Sequence, residues 1–162
     1  MYYSTDYVSP IGEMMIVSDG EAICGLWFYG QKHFLSSIDS EIVQDDDLDI
    51  FKKVKGWLDD YFKGLNPQID FKLRPAGTDF RCRVWKILLE IPYAETMTYG
   101  EIASKFSDRM SAQAVGGAVG RNPIAIIIPC HRVLGSKNRL TGYAAGIDRK
   151  IKLLELEGCF LP

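Results

Sequence analysis

The sequence is poor in the residues that commonly bind metals. Its 162 residues include two histidines and four cysteines, and the cysteines are Cys24, Cys82, Cys130 and Cys159. No two of them have the C-x-x-C spacing, so neither a structural zinc site nor a disulfide framework is expected. A free cysteine is commonly a small buried hydrophobic residue, and Cys24 and Cys82 fit that interpretation.

Long hydrophobic runs and nucleotide-binding glycine patterns are also missing. No apolar stretch approaches the roughly 18 residues that a transmembrane helix requires. The stretch 1–6 has no basic segment followed by an apolar one, so we expect no signal peptide and a cytoplasmic protein without a membrane partner. Neither the Rossmann nor the P-loop glycine pattern occurs, so no nucleotide cofactor is expected.

Charge is distributed unevenly along the chain. The net charge of -2 by itself argues against a nucleic-acid partner. Residues 1–79, however, have 7 Lys and Arg against 14 Asp and Glu (net −7), whereas residues 80–162 have 12 against 7 (net +5). This division predicts a C-terminal module that faces a polyanion, although the acidic loop 45–47 contributes to the contrast by itself.

The pattern of strands and helices predicts an α+β protein with two domains, 1–76 and 77–162. In the first, hydrophobic alternation predicts an antiparallel sheet with a hairpin turn at Asp19-Gly20. A helix is predicted over 49–65 because apolar residues recur at helical spacing, and a short strand follows within 68–76. This N-terminal module contains no evident reactive group, so we expect it to have a supporting role.

The C-terminal domain begins with helical signals. A helix is predicted over 79–90, and Thr98 with Glu101 forms a capping box that opens a short helix. A second short helix is predicted from Ser111. Two short helices joined by a tight connection, here 107–110, are typical of a helix-turn-helix motif.

The second of these short helices is unusual because it contains Gly116, Gly117 and Gly120. Each glycine in a helix interior costs roughly 1 kcal/mol relative to alanine. Small residues allow a backbone to approach another surface closely. From the sequence, a DNA groove and a neighbouring element of the protein explain these glycines equally well.

Two further elements complete the predicted domain. The basic segment 134–143 has the pattern of a β-hairpin, and a hairpin after a helix-turn-helix motif predicts a winged helix. A last helix is predicted over 148–158.

The stretch Pro129–Val133 carries the strongest indication of chemistry. It places Cys130 beside His131 and Arg132, directly after the apolar run 124–128, which is predicted to be a buried strand. A cysteine reacts as the thiolate, and a neighbouring base or cation lowers the pKa of the thiol. A strand would present that thiol from a rigid support.

Several short blocks occur in a characteristic order along the C-terminal half. They are Gly77–Phe80, Val84–Trp85, Thr98–Ala103, Ala114–Gly116, Asn122–Pro123, Pro129–Val133, Gly142–Tyr143 and Leu153–Gly158. In these blocks the chain resembles the O6-alkylguanine-DNA alkyltransferases, also called methylated-DNA–protein-cysteine methyltransferases. The acidic N-terminal domain fits the first domain of that family by position more than by motif.

The resemblance implies direct, single-turnover repair of DNA. Cys130 would take the alkyl group from O6-methylguanine, and also from O4-methylthymine, and keep it as a thioether without a cofactor. His131 would act through a water molecule as the base for Cys130, and Glu157 would orient the histidine. Asn122 would brace the turn beside the pocket. The expected partner is double-stranded DNA that contains O6-alkylguanine, and the expected protein is a monomer.

The resemblance also implies a set of DNA contacts. Gln113 stands where the family commonly has an arginine, which takes the place of the base that flips out of the duplex. Tyr99 would contact the target phosphate and line the pocket. The other expected residues have one of two roles: they allow the helix to enter the minor groove, or they surround the base and its alkyl group. These residues are Ala112, Ala114, Gly116, Gly117, Val119, Arg121, Val133, Tyr143 and Ala144.

Four residues of that set have particular expected roles. Val119 would help to define the size of the alkyl group, and Tyr143 would form a wall against the base. A backbone group of Val133 would accept a hydrogen bond from the exocyclic amine of guanine. The backbone amide of Ala144 would donate a hydrogen bond to O6.

Other interpretations stay open at the level of sequence. A Cys–His hydrolase would need an orienting Asn or Asp and an oxyanion loop, neither of which is evident. A non-enzymatic module for alkylated DNA would lack the nucleophile that Cys130 supplies, and a winged-helix regulator would need base-reading side chains. Glu157 could be a solvated carboxylate at a helix end, and Arg132 could contact phosphate or brace the fold.

Overall fold

The computed structural model describes residues 1–106 and 110–159, so the predicted connection 107–110 lies largely outside the described residues. The chain divides into two compact units, composed of Met1–Ala76 with Pro123–Ala125, and of Gly77–Asn122 with Ile126–Pro162. Within the described residues, no helix has the length and apolar character needed to cross a bilayer. The predicted fold class is confirmed, because a mainly antiparallel sheet lies in the first unit and a helical domain in the second.

The first unit contains one sheet. Its strands are β1 (Tyr2–Ser9), β2 (Gly12–Ser18), β3 (Ala22–Phe28), β4 (Ile42–Gln44) and β5 (Lys72–Leu73). The order is β4-β1-β2-β3-β5, with antiparallel pairing among β1, β2 and β3 and parallel pairing at both edges. The predicted hairpin turn joins β2 to β3. Gly20 has a φ of 103°, and the Asp19 carboxylate accepts hydrogen bonds from the backbone amides of Glu21 and Ala22.

The helix of the first unit, α1 (Asp49–Phe62), ends before the predicted position, Leu65. The chain leaves the helix because Gly64 adopts the left-handed region with a φ of 86°. The predicted apolar face of α1 is buried through Phe51, Val54, Leu58 and Tyr61. Strand β4 was not predicted, because its residues are half-buried or exposed and show no alternation.

In its described residues, the second unit has four α-helices and a two-stranded sheet. They are α2 (Asp79–Leu89), β6 (Met97–Thr98), α3 (Tyr99–Ala103), α4 (Ala112–Gly120), β7 (Val133–Leu134) and α5 (Ile147–Leu156). The Thr78 hydroxyl accepts a hydrogen bond from the first turn of α2. Thr98 and Glu101 form both bonds of the predicted capping box, and Ser111 caps α4. The two helices of the predicted helix-turn-helix motif, α3 and α4, are therefore observed, and they pack together.

A buried tryptophan anchors the C-terminal end of α4. Trp85 of α2 is 2% exposed, and its Nε1 donates a hydrogen bond to the Ala118 carbonyl at 2.9 Å. The packing around the indole is tight, because a Cβ added at Gly77 would lie 2.5 Å from its ring. Since glycine-rich α4 has little intrinsic stability, this contact helps to hold the helix in place.

We expect Trp85→Phe to lower the free energy of unfolding by about 1–3 kcal/mol, from one lost hydrogen bond and a small void. Urea denaturation followed by circular dichroism measures this change. Trp57→Phe is the comparison, because it also removes an indole hydrogen bond, to the Pro67 carbonyl at 3.1 Å, but from a half-buried residue on α1 of the other unit, so its effect should be smaller. A midpoint for Trp85→Phe equal to that of the wild type would show that the indole does not stabilise α4.

The apolar run 124–128 is buried, but the prediction that it forms a strand was wrong. Ile124 makes a single parallel bridge with Leu26 of β3. The chain then turns, and Ile126 has a φ of 69°, which lies in the left-handed region. A continuous isoleucine run is buried equally well in a strand and in an internal turn, so hydrophobicity alone did not separate them. Pro129 follows this turn, and Cys130 comes directly after Pro129.

The predicted hairpin over 134–143 was also wrong. After β7, which pairs in parallel with β6, the chain enters the 3₁₀ turn Ser136–Asn138. Two residues of that turn have positive φ, which favours a compact loop over an extended strand. A hydrogen bond of 2.8 Å from the Gly135 amide to the Arg139 carbonyl closes the loop.

Candidate active site around Cys130

Cys130 begins a 3₁₀ turn, Cys130–Arg132. Hydrogen bonds to a single carbonyl group fix the segment that leads into this turn. The Ile128 carbonyl accepts hydrogen bonds from the Cys130 backbone amide and from Asn122 Nδ2, both at 2.8 Å. Asn122 is 5% exposed, and it also interacts through its side chain with the Cys130 sulfur. The structure therefore places Asn122 where it fixes the turn that carries the thiol.

His131 is fully buried and contacts the carboxylate of Glu157. His131 Nε2 lies 2.6 Å from Glu157 Oε2, and both side chains have 0% exposure. Since a carboxylate accepts hydrogen bonds, this contact places the ring proton on Nε2. Any proton exchange with Cys130 must then use Nδ1, the other ring nitrogen.

Glu157 is the C-cap residue of α5, and the structure excludes its interpretation as a solvated carboxylate. It is 4% exposed, and Oε1 accepts hydrogen bonds from Arg132 Nε at 2.8 Å and from the Ala94 amide at 3.1 Å. Arg132 donates a further bond from Nη1 to the Ile91 carbonyl at 2.7 Å. The interpretation of Arg132 as a residue that braces the fold is thus confirmed.

Burial dominates the protonation of the reactive pair. It raises the pKa of the Cys130 thiol, although Asn122, Lys150 and Tyr143 act in the opposite direction. It also lowers the pKa of His131, against the opposing effect of Glu157. The sequence predicted that a neighbouring base or cation lowers the thiol pKa. The groups that lower it are Asn122, Lys150 and Tyr143 rather than the adjacent His131 and Arg132, and burial outweighs them. The resting pair at neutral pH is a thiol beside a neutral imidazole, which is a base able to take a proton.

A surface groove of about 480 Å³ lies in the same unit, on the face formed by α3 and α4. Its lining includes four residues predicted to contact DNA, namely Tyr99, Ala112, Gln113 and Gly116, together with Thr98, Gly100 and Ser136. Ala114 and Arg121 are exposed at α4 and at its C-cap, outside that lining. Val119 is buried at 6% exposure and does not line the groove.

The other predicted pocket residues lie after the 3₁₀ turn. The Tyr143 hydroxyl is buried and interacts with the Cys130 sulfur, and among the described residues it has no other hydrogen-bond partner. Val133 is fully buried, and its carbonyl accepts a hydrogen bond from Lys150 Nζ. Ala144, next to Tyr143, is half-buried.

Lys150 is the residue at this site that sequence analysis missed. It lies on α5 at 0% exposure, and it interacts electrostatically with Cys130. The sequence offered one weak signal, because Lys150 falls on the apolar face of α5 with Leu153 and Leu154. Lysines at such positions usually extend their charge to solvent, so the signal was not decisive.

Fold and site together define a helix-turn-helix protein with a buried thiol at the start of a Cys-His-Arg turn. Residues 79–159 match the family model for the 6-O-methylguanine DNA methyltransferase, DNA binding domain. Residues 1–75 match that for the 6-O-methylguanine DNA methyltransferase, ribonuclease-like domain. The chain therefore belongs to the 6-O-methylguanine DNA methyltransferase family, as its sequence motifs indicated.

Individual relatives are similar in sequence to this protein over nearly the whole chain. The methylated-DNA–protein-cysteine methyltransferase of Methanosarcina acetivorans is 44% identical over 158 residues, which cover 98% of this chain and 99% of that protein. The protein of the same name from Haemophilus influenzae is 42% identical and covers 96% of this chain and 86% of its own length. The crystal structure of Mycobacterium tuberculosis OGT in complex with DNA has a TM-score of 0.85 and 44% identity, and the match covers 96% and 91% of the two chains.

Proposed function

We propose that this protein repairs DNA directly, by irreversible transfer of the alkyl group of O6-methylguanine to Cys130 in a single turnover. The observation that carries the proposal is the array of Cys130, His131 and Glu157, in which a buried carboxylate holds the neutral imidazole of the residue that directly follows the cysteine. The substrate class follows from the family, whose relatives described above are methylated-DNA–protein-cysteine methyltransferases.

The proposed reaction balances with the groups of the site and the damaged base alone. The Cys130 thiol transfers its proton through a water molecule to His131 Nδ1, and the thiolate attacks the alkyl carbon. A carbon–sulfur bond forms while the bond from carbon to O6 breaks, and the electron pair leaves on the base. The base takes up the proton that His131 accepted, which restores guanine and the neutral imidazole. Because the product is a stable thioether, each molecule reacts once.

The glycines of α4 support an approach of this helix to DNA. A Cβ added at Gly117 or Gly120 would meet no atom within 4 Å, and one at Gly116 would lie 3.8 Å from the Tyr99 ring, an ordinary contact. Internal packing therefore does not require glycine at these positions, although glycine weakens the helix. Close approach to a surface outside the chain explains them, and the backbone of a DNA minor groove is such a surface.

The groove next to α4 is where we propose that the target nucleotide leaves the duplex. A stacked base cannot reach a buried sulfur, so the base must rotate out of the helix. Gln113 is exposed at the rim and would hydrogen-bond the partner base, with Ala112 and Ala114 beside it in the minor groove. Tyr99 would contact the phosphate of the flipped nucleotide, and Arg121 would add a phosphate contact.

The inner pocket would bind the flipped base through groups close to Cys130. Tyr143 would form one wall, since its hydroxyl already interacts with the sulfur. The Val133 carbonyl has a second lone pair for the exocyclic amine, and the Ala144 amide would donate to O6. Val119 would set the size of the alkyl group only indirectly, through the packing of α4, because its side chain is buried.

The proposal extends to the wider role of the protein. O4-methylthymine presents the same carbon–oxygen bond, so we include it as a substrate. Residues 1–76 would support the DNA-binding and alkyl-transfer domain, 77–162. The protein would act as a monomer on DNA, in the cytoplasm and associated with the nucleoid.

The test of this proposal is a titration of the protein with a duplex that contains one O6-methylguanine. Chromatography of the digested DNA measures how much guanine is restored. We expect one equivalent of guanine per protein molecule and no further repair on longer incubation. Repeated turnover would instead indicate a hydrolase, and binding without repair would indicate a module that only recognises damage.

Gln113→Ala is expected to weaken binding to the alkylated duplex by about 1–2 kcal/mol, because the partner base loses its hydrogen bond. The reaction with free O6-methylguanine base should be unchanged. Fluorescence anisotropy measures the first effect, and alkylation rates measure the second. Gln68→Ala, an exposed glutamine of the other unit, is the control. Equal losses with duplex and free base would contradict the assignment of Gln113 to base flipping.

A further inference from the structure

Lys150 is the only lysine that is buried among the described residues. Its Nζ donates hydrogen bonds to the Val133 carbonyl at 2.6 Å and to the Thr141 carbonyl at 3.4 Å. No carboxylate in the described parts of the chain forms an ion pair with it. A buried ammonium group without a counter-ion is costly, and burial lowers the pKa of Lys150 to about 8.

The two carbonyls that Lys150 binds lie at opposite ends of the loop 133–141. The ends are in close contact, since a Cβ added at Gly135 would lie 2.6 Å from the Thr141 methyl group. Thr141 also donates a hydrogen bond from Oγ1 to the Tyr99 hydroxyl at 3.3 Å. One ammonium group therefore holds the two ends of this loop together. The loop contains Val133 and contacts Tyr99, and both residues belong to the proposed pocket.

The titratable groups that face Lys150 belong to the 3₁₀ turn packed against α5. The lysine lowers the pKa of both Cys130 and His131, while Cys130 raises that of the lysine. The carbonyls of the loop contribute dipoles but no charge. The negative charge that would match the ammonium arises only when Cys130 loses its proton.

We infer that Lys150 is a positioning residue that stabilises the Cys130 thiolate by its charge and holds the pocket loop by its two hydrogen bonds. The inference rests on the proposed function, because the thiolate matters only if Cys130 is the nucleophile. The ammonium group stabilises the charged form of the sulfur more than the neutral form. Such a difference favours the step in which the proton leaves Cys130.

The test compares Lys150→Met, which removes the charge and both hydrogen bonds, with Lys150→Gln, which removes the charge and keeps a donor group. Lys152→Met is the matched control, because Lys152 is exposed on the same helix. The thiol pKa of Cys130 is read without DNA, from the pH dependence of its carboxamidomethylation by iodoacetamide. Thermal unfolding shows which variants fold.

We expect both Lys150 variants to raise the thiol pKa by about one unit, and alkyl transfer at neutral pH to slow about tenfold. Lys152→Met should match the wild type in both measurements. A folded Lys150→Gln or Lys150→Met with the wild-type thiol pKa would overturn the electrostatic role. If the wild type repairs no DNA while the thiol pKa responds as expected, the proposed function fails and the coupling of Lys150 to Cys130 stands.

Discussion

Cys130→Ala is expected to abolish alkyl transfer while the protein still binds alkylated duplex DNA. The sulfur is the atom that forms the new bond, and no other side chain of the array can replace it as a nucleophile. Alanine is smaller than cysteine, so the pocket loses no space for the base. Cys130 is only 7% exposed and does not line the groove, so contacts with the DNA backbone should persist.

Cys82→Ala is the matched control for this experiment. Cys82 is a half-buried thiol of the same unit, on α2, and its removal should leave repair unchanged. Restored guanine measures repair, and anisotropy of a labelled duplex measures binding. Residual repair by Cys130→Ala would mean that another group accepts the alkyl group. Loss of both repair and binding in a folded variant would mean that the DNA site has been misplaced.

Glu157→Gln is expected to slow alkyl transfer by about 10²- to 10⁴-fold, the range for removal of support from a catalytic base. The amide can no longer stabilise a positive charge on His131, and it can present its own donor to Nε2. The imidazole would then lose the carboxylate contact that fixes the orientation of its ring. Single-turnover rates with the alkylated duplex measure this effect.

The same substitution should also destabilise the protein. Arg132 would keep a buried guanidinium group without its carboxylate partner, which costs about 3 kcal/mol. Glu155→Gln is the control, because Glu155 is an exposed carboxylate on the same helix. Denaturation midpoints and rates should be unchanged in that variant. A Glu157→Gln protein that reacts as fast as the wild type would show that the carboxylate has no part in activating the thiol.

Capping signals gave the most accurate predictions of the fold. The capping box of Thr98 and Glu101 marks a helix start that the structure reproduces, because a cap is a local interaction between residues close in sequence. Sites assembled from such local blocks, like the Cys130–Arg132 turn, are accessible to sequence analysis for the same reason.

The errors arose where distant parts of the chain decide the outcome. The isoleucine run 124–128 is buried, but its path is set by one bridge to Leu26 and by the turn at Ile126. The basic loop after β7 is shaped by the pairing of β7 with β6 and by the hydrogen bonds of Lys150. Neither contact leaves a periodic trace in the sequence.

The site shows the same division between local and distant effects. The neighbours Cys130 and His131 were evident as a pair, whereas the balance of their pKa values depends on burial, which is a property of the whole unit. Lys150 acts on the thiol from a different helix, so nothing near Cys130 in the sequence pointed to it. The contact of Glu157 with His131 was implied by resemblance to a family and not by spacing.

The most direct test of this account is a peptide map of the protein after incubation with a duplex that contains O6-methylguanine. Mass spectrometry of the peptide that contains Cys130 should show one methyl group in place of one hydrogen. The peptides that contain Cys24, Cys82 and Cys159 should be unmodified. An unmodified Cys130 peptide from protein that has restored the guanine would contradict the central claim.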